Sequence, residues 1–376
     1  MGFSDMKKVL ITGGAGFIGS HLADELLAHG YRVRALDCLS PQVHGEGRRR
    51  PDYLSAEVEL MVGDVCNKDD LARALDGVDA VFHLAAAVGV GQSMYEVAHY
   101  TRVNNLGTAV LMEALIAKPV ERLVVASSMS LYGEGLYRSP TGKVREGGER
   151  SLDQLRRADW ELRDEEGAVL QPVPTPETKS PALASIYALS KFDQERMTLL
   201  TGRAYQIPTV ALRFFNAYGP RQALSNPYTG VLAIFASRLL NGNAPAIFED
   251  GLQQRDFVSV YDVARACRLA LETPAANGEV FNVGSGQPQT VQAIAARLAR
   301  VLGKESLQPQ ILGKYRVGDI RHCFADIGKA ERVLGYQPQV QLDDGMAELA
   351  SWLAGQAAVD RVAQASAELS ARGLTV

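Results

Sequence analysis

The sequence predicts an α/β protein built on a doubly wound parallel sheet, with a smaller interleaved lobe toward the C-terminus. Three observations predict it. Short β-branched runs alternate with helical patterns through the first half. A glycine-rich turn joins the first strand to the first helix. After about residue 216 the rhythm gives way to shorter elements.

The first-half strands read as "KKVLIT", "RVRALD", "VELMVGD", "DAVFHLAA" and "ERLVVASS", with helices between them such as Ile18 to His29 and Lys68 to Leu75. Such alternation implies right-handed βαβ units. Residues 134–186 interrupt it with "RSPTGKVREGGERS", a charged helical piece around "LDQLRRADWELRDEEG", and "QPVPTPETKSP". An excursion of that length reads as a lid, a partner surface or a surface loop. Helix resumes at Ile186 and a strand follows at "TVALRFF". The expected organisation is a nucleotide-binding unit over 1–215 with 134–186 inserted, and a substrate lobe over 216–350 interleaved with it. Residues 351–376 form a tail of amphipathic helix packed on the surface.

At 376 residues the chain can bury a sizeable core. Its 47% apolar and 22% charged residues suit a globular protein, and a net charge of -4 leaves no cationic surplus for a nucleic-acid partner. The one dense basic run, Arg48 to Arg50, reads as a solvated loop or a phosphate contact. No stretch approaches the ~18 apolar residues of a membrane span, and the N-terminus shows no leader-like pattern. Cys38, Cys66, Cys267 and Cys323 are scattered without a CxxC pair, which argues against a metal site and fits a reducing, cytoplasmic setting.

In "TGGAGFIGSHL", Gly13, Gly16 and Gly19 follow the first strand at GxxGxxG spacing, with Phe17 and Ile18 opening the helix. The first glycine permits a tight turn, the second lets backbone approach a pyrophosphate, and the third allows close helix–strand packing. The helix N-terminus then stabilises the negative charge. Between a strand and a helix near the N-terminus, the motif predicts a Rossmann dinucleotide site rather than a glycine turn without a ligand. Asp37 ends the second strand, where a carboxylate accepts from ribose hydroxyls and repels a 2′-phosphate. NAD is therefore favoured over NADP.

"VVASSMSLYG" ends another strand on the ligand-binding side of the sheet, placing Ser128 toward the nicotinamide. In "ASIYALSK", Tyr187 and Lys191 stand one helical turn apart. A free tyrosine titrates near ~10, and a neighbouring ammonium favours the phenolate and lowers that value. Ser128, Tyr187 and Lys191 thus form an acid–base set. His83, within an apolar run, reads as a core histidine.

With these motifs the chain resembles the extended short-chain dehydrogenases/reductases of the nucleotide-sugar epimerase and dehydratase group, from "TGGAGFIG" to "GDIRHCFADIGKAERVLGY". The resemblance implies that Asp64 and Val65 flank the adenine and that Leu84, Ala85 and Ala86 of "LAAAV" line the cofactor. It implies that Asn104 supports the central sheet and contacts the cofactor, and that Asn216 of "RFFNAYGPRQ" reaches substrate. Arg255 and Arg316 would clamp a diphosphate through planar guanidinium forks. Cys323 resembles the gate position beside the sugar ring in such epimerases. Taken singly, Asp64 could instead cap a turn, Asn216 could be a structural amide, and the arginines could form surface ion pairs. A homodimer is implied through the helix after Asn104 and the Tyr187 helix.

Dehydratases of this group carry Asp–Glu after the hydroxyl residue; here Met129 and Ser130 stand there, and neither moves protons efficiently near neutral pH. The expected activity is therefore an NAD-dependent nucleotide-sugar 4-epimerase working through a 4-keto sugar. "LDCLSPQVHG" and "PVPTPETKSPALASIYALSKFDQE" are similar to the subgroup interconverting dTDP-L-rhamnose and dTDP-6-deoxy-L-talose. UDP-glucose or UDP-N-acetylglucosamine 4-epimerase and UDP-glucuronate decarboxylase are the alternatives. A non-catalytic NAD-binding protein would have no use for the Tyr–Lys pair.

Overall fold

A computed structural model of the chain describes residues 8–224, 226, 228, 230–356, 360 and 362–375. Seven parallel strands form its centre. From one edge their order is Val280–Val283, Thr209–Phe214, Arg122–Ser128, Ala80–His83, Lys8–Thr12, Arg32–Asp37 and Glu59–Val62. Every residue of Ala80–His83, Arg122–Ser128 and Thr209–Phe214 is buried, which explains their near-continuous apolar runs. The outermost strand, Glu59–Val62, stays partly exposed.

Helices cover both faces. Phe17–Ala28 and Val260–Glu272 pack one face through Leu22, Leu26, Val263 and Ala270, while Lys68–Ala74 and Gly107–Ala117 cover the other through Leu71, Leu111 and Leu115. From Lys8–Thr12 the chain winds outward to Glu59–Val62, then returns to Ala80–His83 on the opposite side. The loops diverge there, opening a crevice beyond the carboxyl ends of the strands.

The C-terminal half builds smaller sheets around the other end of that crevice. Gln254–Ser259 pairs in parallel with Asn216–Tyr218 and with His322–Cys323, and antiparallel with Pro288–Thr290. Helices Val231–Leu240, Val291–Val301 and Leu342–Leu353 share a separate core containing Phe235, Leu298 and Leu349. Because Val280–Val283 returns to the central sheet, the two halves are interleaved.

The 134–186 excursion is folded rather than a loose loop. Leu136–Arg138 pairs antiparallel with both Val144–Glu146 and Gln171–Val173. Its expected helix is confined to Leu152–Arg156, because Trp160, Leu162 and Leu170 turn inward and Arg163 pairs with Val169 instead. Buried ions tie this sheet to the C-terminal half. Fully buried Arg321 pairs with Glu249 at 2.9 Å and Asp250 at 2.6 Å, and also with Glu161. Arg150 meets Glu249 at 2.8 Å, and Glu134 accepts from the backbone N–H groups of Arg321 at 2.6 Å and His322 at 3.1 Å.

Removing one partner from such a network strands the other charges. Arg321→Met should lower unfolding free energy by about 3–5 kcal/mol, whereas Glu161→Gln, at the partly exposed end of the network, should lose only ~1 kcal/mol. Urea titration of both variants checks the ranking.

Candidate active site

The turn after the first strand is shaped for close approach. Gly13 has φ 72, and a Cβ there would come within 2.9 Å of the Ala85 nitrogen. A Cβ on Gly19 would lie 2.3 Å from the Gly13 carbonyl oxygen. Asp37 Oδ2 accepts from Ala15 N–H at 3.0 Å and Oδ1 accepts from Leu39 N–H at 2.9 Å, holding the carboxylate at the cleft wall. Gly16, Phe17, Ile18, Asp64, Val65, Leu84, Ala85 and Ala86 join the same wall, in a cleft of about 870 Å³. The glycine cradle, the carboxylate at the cleft wall and the size of the cleft fit a dinucleotide.

Asp64 has a foot in both readings: its carboxylate closes a turn onto Cys66 N–H at 2.9 Å and pairs with Arg102 at 3.1 Å, yet it lines the cleft. Of the basic run, Arg48 lines the cleft while Arg50 donates to the carbonyls of Ser55 and Val58. Asn104 departs from expectation. It is fully buried behind the wall, accepting from Ala87 N–H at 2.8 Å and donating to Ala87 O at 3.0 Å and Ser190 Oγ at 2.8 Å. It braces the loop that follows Ala86 without reaching the cleft.

Ser128 ends its strand, and its Oγ accepts from Ser130 N–H at 3.1 Å. Tyr187 stands in the first turn of Ile186–Tyr205, a helix started by Ser185, whose Oγ accepts from Ala188 N–H at 3.1 Å. Both residues line the cleft with Lys191. The expected lowering of the Tyr187 pKa is not what the structure shows. Burial pushes it above the usual tyrosine value, and the hydrogen bond with Ser128 only opposes that shift. Lys191 donates to Gln194 Oε1 at 2.7 Å, and burial brings its pKa down to about 7 against the pull of Glu195. Two desolvated groups share the site, each displaced toward its neutral form. His83 is a core residue, its ring nitrogens 2.8 Å from Thr12 Oγ1 and 2.9 Å from Thr108 Oγ1, with burial lowering its pKa to about 3.

At the other end of the cleft, Asn216 Oδ1, Gln222 Oε1 and Gln253 Oε1 are buried amide oxygens without a hydrogen-bond partner among the described residues. Sequence reading missed Gln222 and Gln253; no local pattern distinguishes a buried amide from a surface one. Arg255 and Arg316 line this end with much of each fork engaged. Arg255 donates to the carbonyls of Ile320 at 2.6 Å and Arg321 at 2.9 Å, and Arg316 is held by Asp319 at 2.8 Å and 3.0 Å. Cys323 is not a gate. Its strand pairs alongside Arg255 and turns the thiol inward, 3.9 Å from Thr175 Oγ1, among Leu131, Tyr132 and Phe215. Ile320 occupies the cleft wall nearby.

A family model described as NAD dependent epimerase/dehydratase matches residues 9–151 and 165–284. The chain belongs to that family. It is 35% identical over 354 residues to a dTDP-L-rhamnose 4-epimerase of Burkholderia thailandensis, covering 93% of this chain and 96% of the relative. It is similar to UDP-glucose 4-epimerase of Thermotoga maritima solved with UDP-glucose, at TM-score 0.75 and 31% identity, covering 92% of this chain and 98% of that one. A UDP-glucose 4-epimerase of Thermus thermophilus solved with NAD gives TM-score 0.73 and 30% identity over 93% of this chain and 100% of the other. NAD is the cofactor of this family member.

Two outcomes follow for the site. Gly19→Ala should abolish NAD binding, followed by calorimetry, because the added methyl meets backbone. Unfolded Lys191 keeps its proton up to about 10.5 and folded Lys191 only to about 7, so between these values the unfolded chain holds the extra proton and stability rises with pH. From about pH 7 to ~8.5, before unfolded cysteines ionise, the cofactor-free protein should gain up to ~1.4 kcal/mol per pH unit over Lys191→Met. Denaturant titrations across that range measure it.

Proposed function

We propose that the protein is a 4-epimerase of a nucleotide-diphosphate sugar, with dTDP-L-rhamnose and its C4 epimer, dTDP-6-deoxy-L-talose, as the favoured pair. One observation carries the reading: Ser128, Tyr187 and Lys191 share the wall of the cleft that holds the glycine turn, and Met129 and Ser130 supply no acid–base pair for elimination. The similarity to the Burkholderia enzyme supports the choice of sugar.

NAD, when bound, supplies a reversible hydride acceptor. The rest is the work of this chain. Ser128 Oγ hydrogen-bonds the reacting C4 oxygen, and Tyr187 takes its proton as the carbon is oxidised. Lys191, fixed by Gln194, lies one turn away and stabilises the phenolate once the cleft is filled. The 4-keto sugar then presents its other face, and Tyr187 returns the proton to the oxygen. Arg255 and Arg316 hold the diphosphate with the donors their protein partners leave free. Asn216 Oδ1 accepts from a substrate donor, which removes the unpaired state of a buried oxygen.

The similarity to UDP-glucose 4-epimerases keeps UDP-glucose as the second candidate. NMR of purified protein with dTDP-L-rhamnose, UDP-glucose, UDP-N-acetylglucosamine and UDP-glucuronate, without added reductant, should show one C4 epimer forming. Loss of carbon dioxide from UDP-glucuronate would replace the reading by a decarboxylase. Tyr187→Phe should keep NAD affinity and lose about 10²–10⁴-fold in kcat; near-normal turnover would sink the mechanism.

The same reading includes a cytoplasmic homodimer. Leu189 and Leu200 are exposed on the Tyr187 helix, and Leu106 is exposed beside Gly107–Ala117. An apolar set on two neighbouring helices suits a bundle with a second copy. Light scattering should give a dimer mass for the protein and a monomer mass for Leu200→Arg.

A further inference from the structure

The C-terminal helix Val362–Ala371 does not lie on an outer surface, as its amphipathic pattern suggests, but over the cleft. Val362, Ala365, Ser366 and Leu369 line the same cavity as Tyr187 and Arg316. Leu369 is 5% exposed, and a Cβ on Gly91 would sit 3.4 Å from its Cδ2.

Its attachments bridge the two halves of the molecule. Glu368 Oε2 lies 3.0 Å from the hydroxyls of both Tyr95, which follows the cofactor loop, and Tyr228, which belongs to the C-terminal half. The Arg372 guanidinium lies 4.2 Å from the centre of the Tyr95 ring. Before the helix, Asp360 accepts from Asn243 at 2.8 Å; after it, Val317 N–H donates to Leu374 O at 3.0 Å and Thr375 bridges to Arg316. The loop carrying an arginine of the cleft is thus tied to the end of the tail.

We infer that this helix is part of the substrate site, with Leu369 and Ala365 closing the cleft over the bound sugar nucleotide and retaining its oxidised form between the two half-reactions. The inference rests on the nucleotide-sugar reading. A 4-epimerase needs such a wall more than a dehydrogenase does, because its keto sugar must turn over inside the site without leaving. If the keto sugar escapes, the electrons stay behind as reduced nicotinamide and the enzyme stops.

The Glu368 contacts to Tyr95 and Tyr228 and the Arg372–Tyr95 contact are polar ties between the helix and the two halves, and these can be released. Substrate admission then requires the Glu368–tyrosine contacts to open, and bound substrate should hold them shut.

The test is deuterium uptake by residues 362–375 in the NAD-bound protein, with and without saturating UDP or dTDP, alongside kinetics of Leu369→Ala. Bound nucleotide should slow uptake in this segment. Leu369→Ala should raise KM for the turned-over sugar about tenfold, the scale of one lost apolar contact. It should also accumulate near-ultraviolet absorbance of reduced nicotinamide that the unaltered protein does not show, with NAD affinity unchanged. Glu368→Gln, which weakens the attachment without touching the cleft, should show the same absorbance change in smaller degree. Unchanged uptake with nucleotide demonstrably bound, or a Leu369→Ala protein with normal KM and no absorbance rise, would overturn the wall alone. If calorimetry shows that neither nucleotide binds, the nucleotide-sugar reading falls and this inference with it.

Discussion

Glu195 lies eight residues beyond Tyr187 on the same helix, and its carboxylate is gripped by Arg213 Nη2 at 2.7 Å and Nε at 2.9 Å. Ser127 Oγ donates to the same carboxylate at 2.6 Å. Arg213 belongs to the strand beside Arg122–Ser128, and Ser127 immediately precedes Ser128. This buried, bidentate contact sets the Tyr187 helix against the strand that ends in Ser128. Moving the helix by one turn would unpair two buried charges, a penalty of several kcal/mol. The relative placement of Ser128 and Tyr187 is therefore a consequence of packing that lies outside the cleft.

The rest of the site follows the same logic of rigid support behind a polar surface. Asn104 clamps the segment after Ala86, and Gln194 links Lys191 to Thr108 at 2.8 Å, so cofactor loop, lysine and central sheet are joined by satisfied amides. At the far end the support is ionic. Arg321, bound to Glu161 of the 134–186 insertion, presents its own carbonyl to Arg255, so the insertion steadies an arginine of the cleft. In contrast, the amide oxygens of Asn216, Gln222 and Gln253 have no partner among the described residues and suit a polar ligand.

How much of this was legible in the sequence depended on how local the signal is. The glycine turn, Asp37 and the Tyr–Lys helix are written in adjacent residues whose spacing determines geometry, and strand periodicity carried the sheet. Cys323 was misplaced because the direction of its thiol is set by pairing with Arg255 and by Thr175, far away in sequence. Asn104 was assigned to the cofactor because sequence order shows proximity to the loop but not which layer an amide occupies. The inserted sheet and the position of the expected C-terminal helix over the cleft escaped for a similar reason: their partners, Arg321 for one and Tyr95 with Tyr228 for the other, are specified only by the folded chain. The pKa of Tyr187 went the other way from expectation because burial outweighs the hydrogen bond with Ser128, which pulls it down.

The central claim is that the sugar is oxidised and reduced at the same carbon without net redox change. Its most direct test is NMR of dTDP-L-rhamnose deuterated at C4, incubated with the purified protein in ordinary water. The account predicts that the C4 epimer forms with the deuterium still on C4. An epimer carrying hydrogen from solvent at that carbon would contradict it and point to inversion by proton exchange instead.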